Sequence, residues 1–198
     1  QVRSFGSRFE LEQAVDLYLD DVIRGQWSSI NRNFPMEYWD VSRITDLAGL
    51  FSTSRNPAAV VFNGDVSRWN IGSATTLSAM FAQAYSFRGD LSRWNTARVQ
   101  RINNMFHYAT SFNSPLNAWD VSQVTEAGWA FRGAISFNQE LGDWNLPNNA
   151  ARIKMLAGAA SFNQNLCAWS SADRGMLAGT SCPFQGDPDD GATFCQAC

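Results

Sequence analysis

Apolar and aromatic positions recur along this chain on a fixed period. Trp39, Trp69, Trp94, Trp119, Trp144 and Trp169 are spaced 30, 25, 25, 25 and 25 residues apart. A Phe column keeps step at Phe62, Phe87, Phe112, Phe137 and Phe162. A second column runs Phe51, Phe81, Phe106 and Phe131, then passes to Leu156. The long first interval carries five extra residues around TSRNPA, between Phe51 and Phe62. A period of this length marks stacked units, each too small to bury its apolar face alone.

Two rhythms alternate inside a unit. LSRWNT (91–96), LNAWDV (116–121) and LGDWNL (141–146) share L-x-x-W-x-[VLT], which matches the strand of a leucine-rich repeat with Trp in the middle place. In the next stretch Val99, Ile102, Met105, Phe106 and Ala109 fall at i, i+3, i+6, i+7 and i+10, a helical stripe. Ser42, Ser73 and Ser122 stand just before such stripes, where a hydroxyl can cap free N–H groups. Each unit therefore reads as a short parallel strand followed by a short helix. The expected fold is an α/β repeat solenoid, leucine-rich-repeat-like and right-handed, of about five 25-residue coils. Stacked Trp and Phe remove large apolar areas from water. The Ala column (Ala84, Ala109, Ala134, Ala159) keeps neighbouring coils close. Asn63, Asn113, Asn138 and Asn163 form an expected amide ladder that Arg88 interrupts once.

A solenoid's end coils need covering. At the front, SRFE (7–10) is a capping box, with Ser7 at N-cap and Glu10 at N3. Leu11, Val15, Tyr18, Leu19 and Val22 then share one helical face, and Gly25 ends it. At the back the rhythm fades and four cysteines follow: Cys167, Cys182, Cys195 and Cys198. The expected layout is one structural domain, with an N-terminal helical cap over 1–35, repeats over 36–169 and a disulfide-bonded cap over 170–198. Cys167 with Cys182 would staple the last coil and Cys195 with Cys198 would close the tail, although four cysteines permit three pairings.

The phrase SFNQ-x-L-x-x-W, followed by DVSQVTEAGWAF (120–131), resembles the repeat of BspA-like surface proteins. That repeat runs F-N-x-D-L-S-x-W-[DN]-V-S-x-V-T-x-M-x-x-M-F-x-x-A. The likeness covers about residues 36–180, with five units in register; LPNNAARIKML (146–156) and Thr96 depart from it. It implies a leucine-rich-repeat-type solenoid on secreted or surface-anchored proteins, engaged in adhesion and in binding other macromolecules. It carries no catalytic motif.

Composition narrows the function classes. Charged residues make up 17% of the 198 and the net charge is −3, so the chain lacks the basic footprint of a nucleic-acid or anionic-membrane binder. The best apolar run is AAVVF (58–62), far short of the ~20 residues a membrane span needs. The chain opens at Gln1 without Met and clusters its cysteines, which leads to the expectation of a processed, secreted or cell-surface protein.

Reactive groups are scarce. The one histidine, His107, has no second imidazole for a metal site or dyad, and no Gly-x-Ser-x-Gly is present. Asp65 and Asp90 could face each other across coils as paired carboxylates, but Arg68 and Arg93, three residues on, favour surface ion pairs. GDPDDG (186–191) has calcium-type oxygens, yet lacks the bidentate Glu of an EF-hand loop and reads as a solvated acidic loop. CQAC (195–198) has redox spacing but reads as a structural disulfide. No cofactor and no metal are expected. Thr45, Thr75 and Thr125 share a column suited to ice or a mineral surface, interrupted by Gln100 and Ala150.

Recognition remains, and non-repeating outward residues are its candidates. On the expected open sheet face these are Arg68, Arg93 and Asp143, with Asn70, Asn95 and Asp120 beside them; the Asx column could equally serve the turn leaving the strand. On the expected helical face they are Trp129, His107, Tyr108 and Arg132. Trp129 could instead fold over the gap left where Ala127 replaces Leu or Ile. The expected function is a non-enzymatic binding or adhesion module for protein or polysaccharide partners, within a larger surface assembly. The alternatives are an ice- or mineral-binding solenoid and, last, a carbohydrate-active enzyme.

Overall fold

The computed structural model describes residues 2–166 together with Trp169, Met176, Ala178 and Thr180. The four cysteines, the acidic loop at 186–191 and most of the expected C-terminal cap lie outside the described residues.

Helix α1 (Arg8–Arg24) begins where Ser7 takes the Glu10 N–H on its side chain, while the Glu10 carboxylate takes the Gly6 N–H at 2.7 Å. Gly25, at φ 64°, closes it by bonding back to the Asp21 and Val22 carbonyls. Leu11, Ala14, Val15 and Leu19 are buried beneath it. Strand β1 (Arg3–Ser4), a short helix α2 (Ser29–Asn33) and a 3-10 turn at Met36–Tyr38 complete this region. Strand β1 pairs in parallel with β2 (Trp39–Asp40), the Trp-bearing stretch of the first unit.

The five extra residues of the first interval have a structural use. Pro57–Val61 forms a 3-10 turn packed on α1. Asn56 donates to Asp16 at 2.8 Å, and Arg55 reaches the same carboxylate at 2.9 Å while donating to the Leu50 carbonyl. The insertion thus ties α1 to the first unit.

Beyond the cap the 25-residue units stack on one another. Within a unit the two Phe columns meet face to face at 3.8–4.3 Å, as in Phe51–Phe62, Phe81–Phe87, Phe106–Phe112 and Phe131–Phe137. Between units each column repeats at 5.3–6.0 Å. All nine of these rings are buried. From Trp69 on, each Trp of the column donates its indole N–H to a carbonyl three residues before the preceding column Trp: Trp69 to Met36, Trp94 to Val66, Trp119 to Leu91, Trp144 to Leu116 and Trp169 to Leu141, at 2.8–3.0 Å. The amide ladder runs between units, with Asn63 accepting from the Arg88 N–H, Asn113 from Asn138 and Asn138 from Asn163. Arg88, with no amide oxygen, leaves its rung empty.

The backbone departs from the expected strand-then-helix order. Val99–Ala109 is no helix but a run of three-residue turns. Met105, His107 and Ala109 donate to the carbonyls three residues back, and the alternate residues Ile102, Asn104, Phe106 and Tyr108 donate to Glu126, Gly128, Ala130 and Arg132 of the next unit. Parallel bridges link Asp46, Thr76, Arg101, Glu126 and Ala151 in the same stretch. The L-x-x-W segments, expected as strands, are turns closed by Trp N–H bonds to Val66, Leu91, Leu116 and Leu141. The inter-unit ladder therefore runs along the stretch read as helix. A left-handed residue once or twice per unit explains it: Gly49, Ala79, Asn104, Trp129 and Lys154 in one column, and Gln83, Tyr108, Gly133 and Gly158 in another, all have positive φ. Such residues interrupt helical winding and send the N–H groups beside them outward to the neighbour.

Candidate functional site

The swap of faces re-sorts the candidates. Arg68, Arg93 and Asp143 are exposed, but on the turn side, with no sheet beneath them. Arg68 lies over the Tyr38 ring at 5.2 Å, a cation–π contact. Neither Arg68 nor Arg93 is within ion-pair distance of a carboxylate among the described residues. Asp65 and Asp90 instead accept the Ser67 and Ser92 N–H groups at 2.9 Å. Asn70, Asn95 and Asp120 are committed in the same way to Gly72, Ala97 and Ser122, as Asp40 is to Ser42. These are Asx-turns, and they answer the question the Asx column posed in favour of the turn. Hydrogen bonds from Ser42 and Ser122 hold Asp40 and Asp120 below the ordinary carboxylate range, side-chain bond first; the Ser92 backbone does so first for Asp90.

His107, Tyr108 and Arg132 do come together, and they do so on the ladder. Consecutive His107 and Tyr108 put their rings 4.5 Å apart because Tyr108 sits at φ 54°. The Tyr108 N–H donates to the Arg132 carbonyl at 2.8 Å, and the Arg132 guanidinium stands 5.9 Å from the Tyr108 ring. Gly133 makes room for this ring: a Cβ there would fall 2.3 Å from Tyr108. Trp129 lies in the same stretch, half-buried and in the left-handed region at φ 58°, with its N–H on Ile153. Ala127, two residues before it, is fully buried in the core.

Three exposed apolar side chains were not singled out from the sequence: Tyr85 (42% exposed), Ile135 (50%) and Ile153 (52%), the last carrying the carbonyl that takes the Trp129 backbone N–H. Their signal was present as apolar residues in columns that other units fill with polar ones: Thr110 beside Tyr85 and Ile135, Ser78 and Asn103 beside Ile153. A groove of about 500 Å³ runs from His107 and Gln83 past Ala79 to Arg8, Glu12 and Arg55 of the cap region.

His107 Nε2 is buried without a partner, and burial, then the nearby Arg132 charge, lowers the imidazole pKa below its ordinary 6.5. The unfolded chain then takes up this proton before the folded one does. Stability is complete above about pH 6.5 and declines as pH falls below it. Thermal melts between pH 7 and 5 should show this loss, and His107→Gln should flatten it; an unchanged slope in the variant would contradict the assignment. The depressed aspartates act lower, below about pH 4, where their hydrogen-bonded carboxylates are lost.

The family described as "Mycoplasma protein of unknown function, DUF285" matches residues 21–134 and again residues 88–178. The chain belongs to this family. DUF285 is associated with BspA-like surface repeat proteins, and the two overlapping matches together span the stacked units and the end of the cap helix. No curated protein and no solved structure matches the chain. Among the described residues of this DUF285 chain no helix is long and apolar enough to cross a membrane, and no cluster of His, Cys, Asp and Glu is placed to hold a metal.

Proposed function

We propose that this protein is a non-enzymatic binding or adhesion module, secreted or at a cell surface, built as a repeat solenoid. It would recognise protein or polysaccharide partners within a larger surface assembly. The observation that carries the reading is the division of labour among columns. Repeated residues are consumed by packing or by turns, while unrepeated ones gather His107, Tyr108, Arg132 and Trp129 on one ladder-backed surface. A hydrogen-bonded backbone beneath these side chains keeps the ordering cost of binding low. Half-exposed aromatics beside an Arg are the residue types that anchor interfaces and stack on sugar rings.

The ice- or mineral-surface alternative gains nothing from the threonine column. Thr75 and Thr125 donate their hydroxyls to the Thr45 and Gln100 carbonyls of the preceding unit, and the column remains interrupted at Gln100 and Ala150.

Binding to glycan arrays and to surface-protein extracts tests the reading. Tyr108→Ala or Trp129→Ala should weaken the detected interaction by about 2 kcal/mol, roughly thirtyfold, if either ring is a hot spot. The pair Arg68→Ala and Arg93→Ala should leave it within a few tenths of a kcal/mol, since these residues lie on the turn side. The opposite ranking would move the site to that side. Turnover of a substrate abolished by one carboxylate or His107 substitution would replace the binding reading with an enzymatic one.

A further inference from the structure

A second concavity, of about 300 Å³, opens where the cap meets the first unit and shares no residue with the ladder surface. Tyr18 and Trp27 form two of its walls, their rings 5.3 Å apart and inclined at 60°. Glu37 and Asp65 also line it, and none of its lining residues is cationic. Among the described residues neither carboxylate is in an ion pair; Asp65 gives one oxygen to the Ser67 N–H. Gly64 keeps the space open, since a Cβ there would lie 2.9 Å from the Tyr18 hydroxyl and 3.0 Å from the Met36 sulfur.

Asn31 supplies the deciding observation. It lines the same pocket and is only 6% exposed. Its Nδ2 donates to the Asp21 carboxylate at 2.6 Å, which fixes which end of the amide is which. Its Oδ1 is left buried with no donor. Buried acceptors in folded proteins are almost always satisfied, so one without a partner beside an open pocket points to a donor that arrives with a ligand.

The chemistry of that ligand follows from the lining. Aromatic faces attract a cation through their quadrupole, and two unpaired carboxylates add charge of the matching sign. Burial, and then the Asp65 charge, push the Tyr18 hydroxyl above its ordinary range, so it stays neutral and brings no third negative charge. The Asn31 oxygen requires an N–H, which a quaternary ammonium lacks. We propose that this pocket binds a primary alkylammonium group, either of a free amine or of a lysine side chain presented by a partner. Trp27 is the sequence mark of the site: with Trp129 it is one of two tryptophans outside the 25-residue column. The site stands independently of the ladder-face reading.

The test is a titration of the full chain followed by the Trp27 indole N–H resonance. Probes are n-butylammonium and Nα-acetyl-lysine amide, with Nα-acetyl-norleucine amide and tetramethylammonium as controls. Either primary amine should move the Trp27 signal, and tetramethylammonium should bind several-fold more weakly. The double variant Glu37→Gln and Asp65→Asn, isosteric and at solvent-accessible positions, should weaken binding about tenfold and flatten its salt dependence. Tighter binding of the lysine amide than of n-butylammonium assigns the pocket to a peptide side chain; equal or weaker binding assigns it to a free amine. No movement of Trp27 with either amine overturns the proposal. So does equal binding of the norleucine amide, or an unchanged Kd in the double carboxylate variant.

Discussion

Replacing Phe106 by alanine is expected to destabilise the fold by about 3–5 kcal/mol, the usual cost of emptying a buried aromatic site. The ring is fully buried and stands at a crossing of both Phe columns: 3.9 Å from Phe112 in its own unit, 5.7 Å from Phe81 and 5.3 Å from Phe131 in the units on either side. The void has little means of closing. Its neighbours hang from a backbone ladder whose spacing is set by hydrogen bonds at both faces of the unit, Phe81 N–H to Met105 and Phe106 N–H to Ala130. Denaturant unfolding monitored by far-UV circular dichroism measures the loss, with Phe106→Leu as the control that refills most of the volume. A cost below about 1 kcal/mol for the alanine would mean that the columns do not support one another as their spacing indicates.

Gly133→Ala should do two separable things. The residue sits at φ 69°, where a Cβ costs about 1–2 kcal/mol. The new methyl would also meet the Tyr108 ring at 2.3 and 2.5 Å, which that side chain relieves by swinging away from Arg132. Gly158→Ala isolates the first effect. Its φ is 75°, and a Cβ there touches only the Gly133 backbone at 3.6 Å, an ordinary contact. Unfolding curves of the two variants should differ little, while any interaction that uses Tyr108 should weaken in Gly133→Ala alone. Equal binding by the two would show that Tyr108 need not lie where it does.

The columns were legible because residues 25 apart stack directly on themselves, so side-chain identity alone records which positions face inward. The α1 cap was legible for the same kind of reason: Ser7, Glu10 and Gly25 each carry a local backbone requirement that needs no distant partner. The path between columns was not legible. Val99, Ile102 and Met105 are three apart, and a helix and a run of three-residue turns both bury every third residue. What separates them is where alternate N–H groups go, and their acceptors at Glu126, Gly128 and Ala130 lie in the next unit. Left-handed positions filled by Asn104, Tyr108 and Trp129 also lacked the glycine that ordinarily advertises them. The error moved the candidate surface as a consequence. Arg68 and Arg93 lie on turns instead of the expected sheet, and His107, Tyr108 and Arg132 lie on the hydrogen-bonded stretch that joins one unit to the next.

The indole joint has an implication for how such chains lengthen and shorten. Every unit offers a carbonyl three residues ahead of its Trp, and every following Trp takes it, even across the long first interval from Met36 to Trp69. Donor and acceptor are thus standard couplings, the same at each seam. A gene that gained or lost 25 codons in register would leave no indole without its oxygen and no Phe column with a gap. The number of rows on the outer surface can therefore change by recombination while the seams stay the same. Lineages can extend or trim the area they present to a partner without re-inventing the core that holds it.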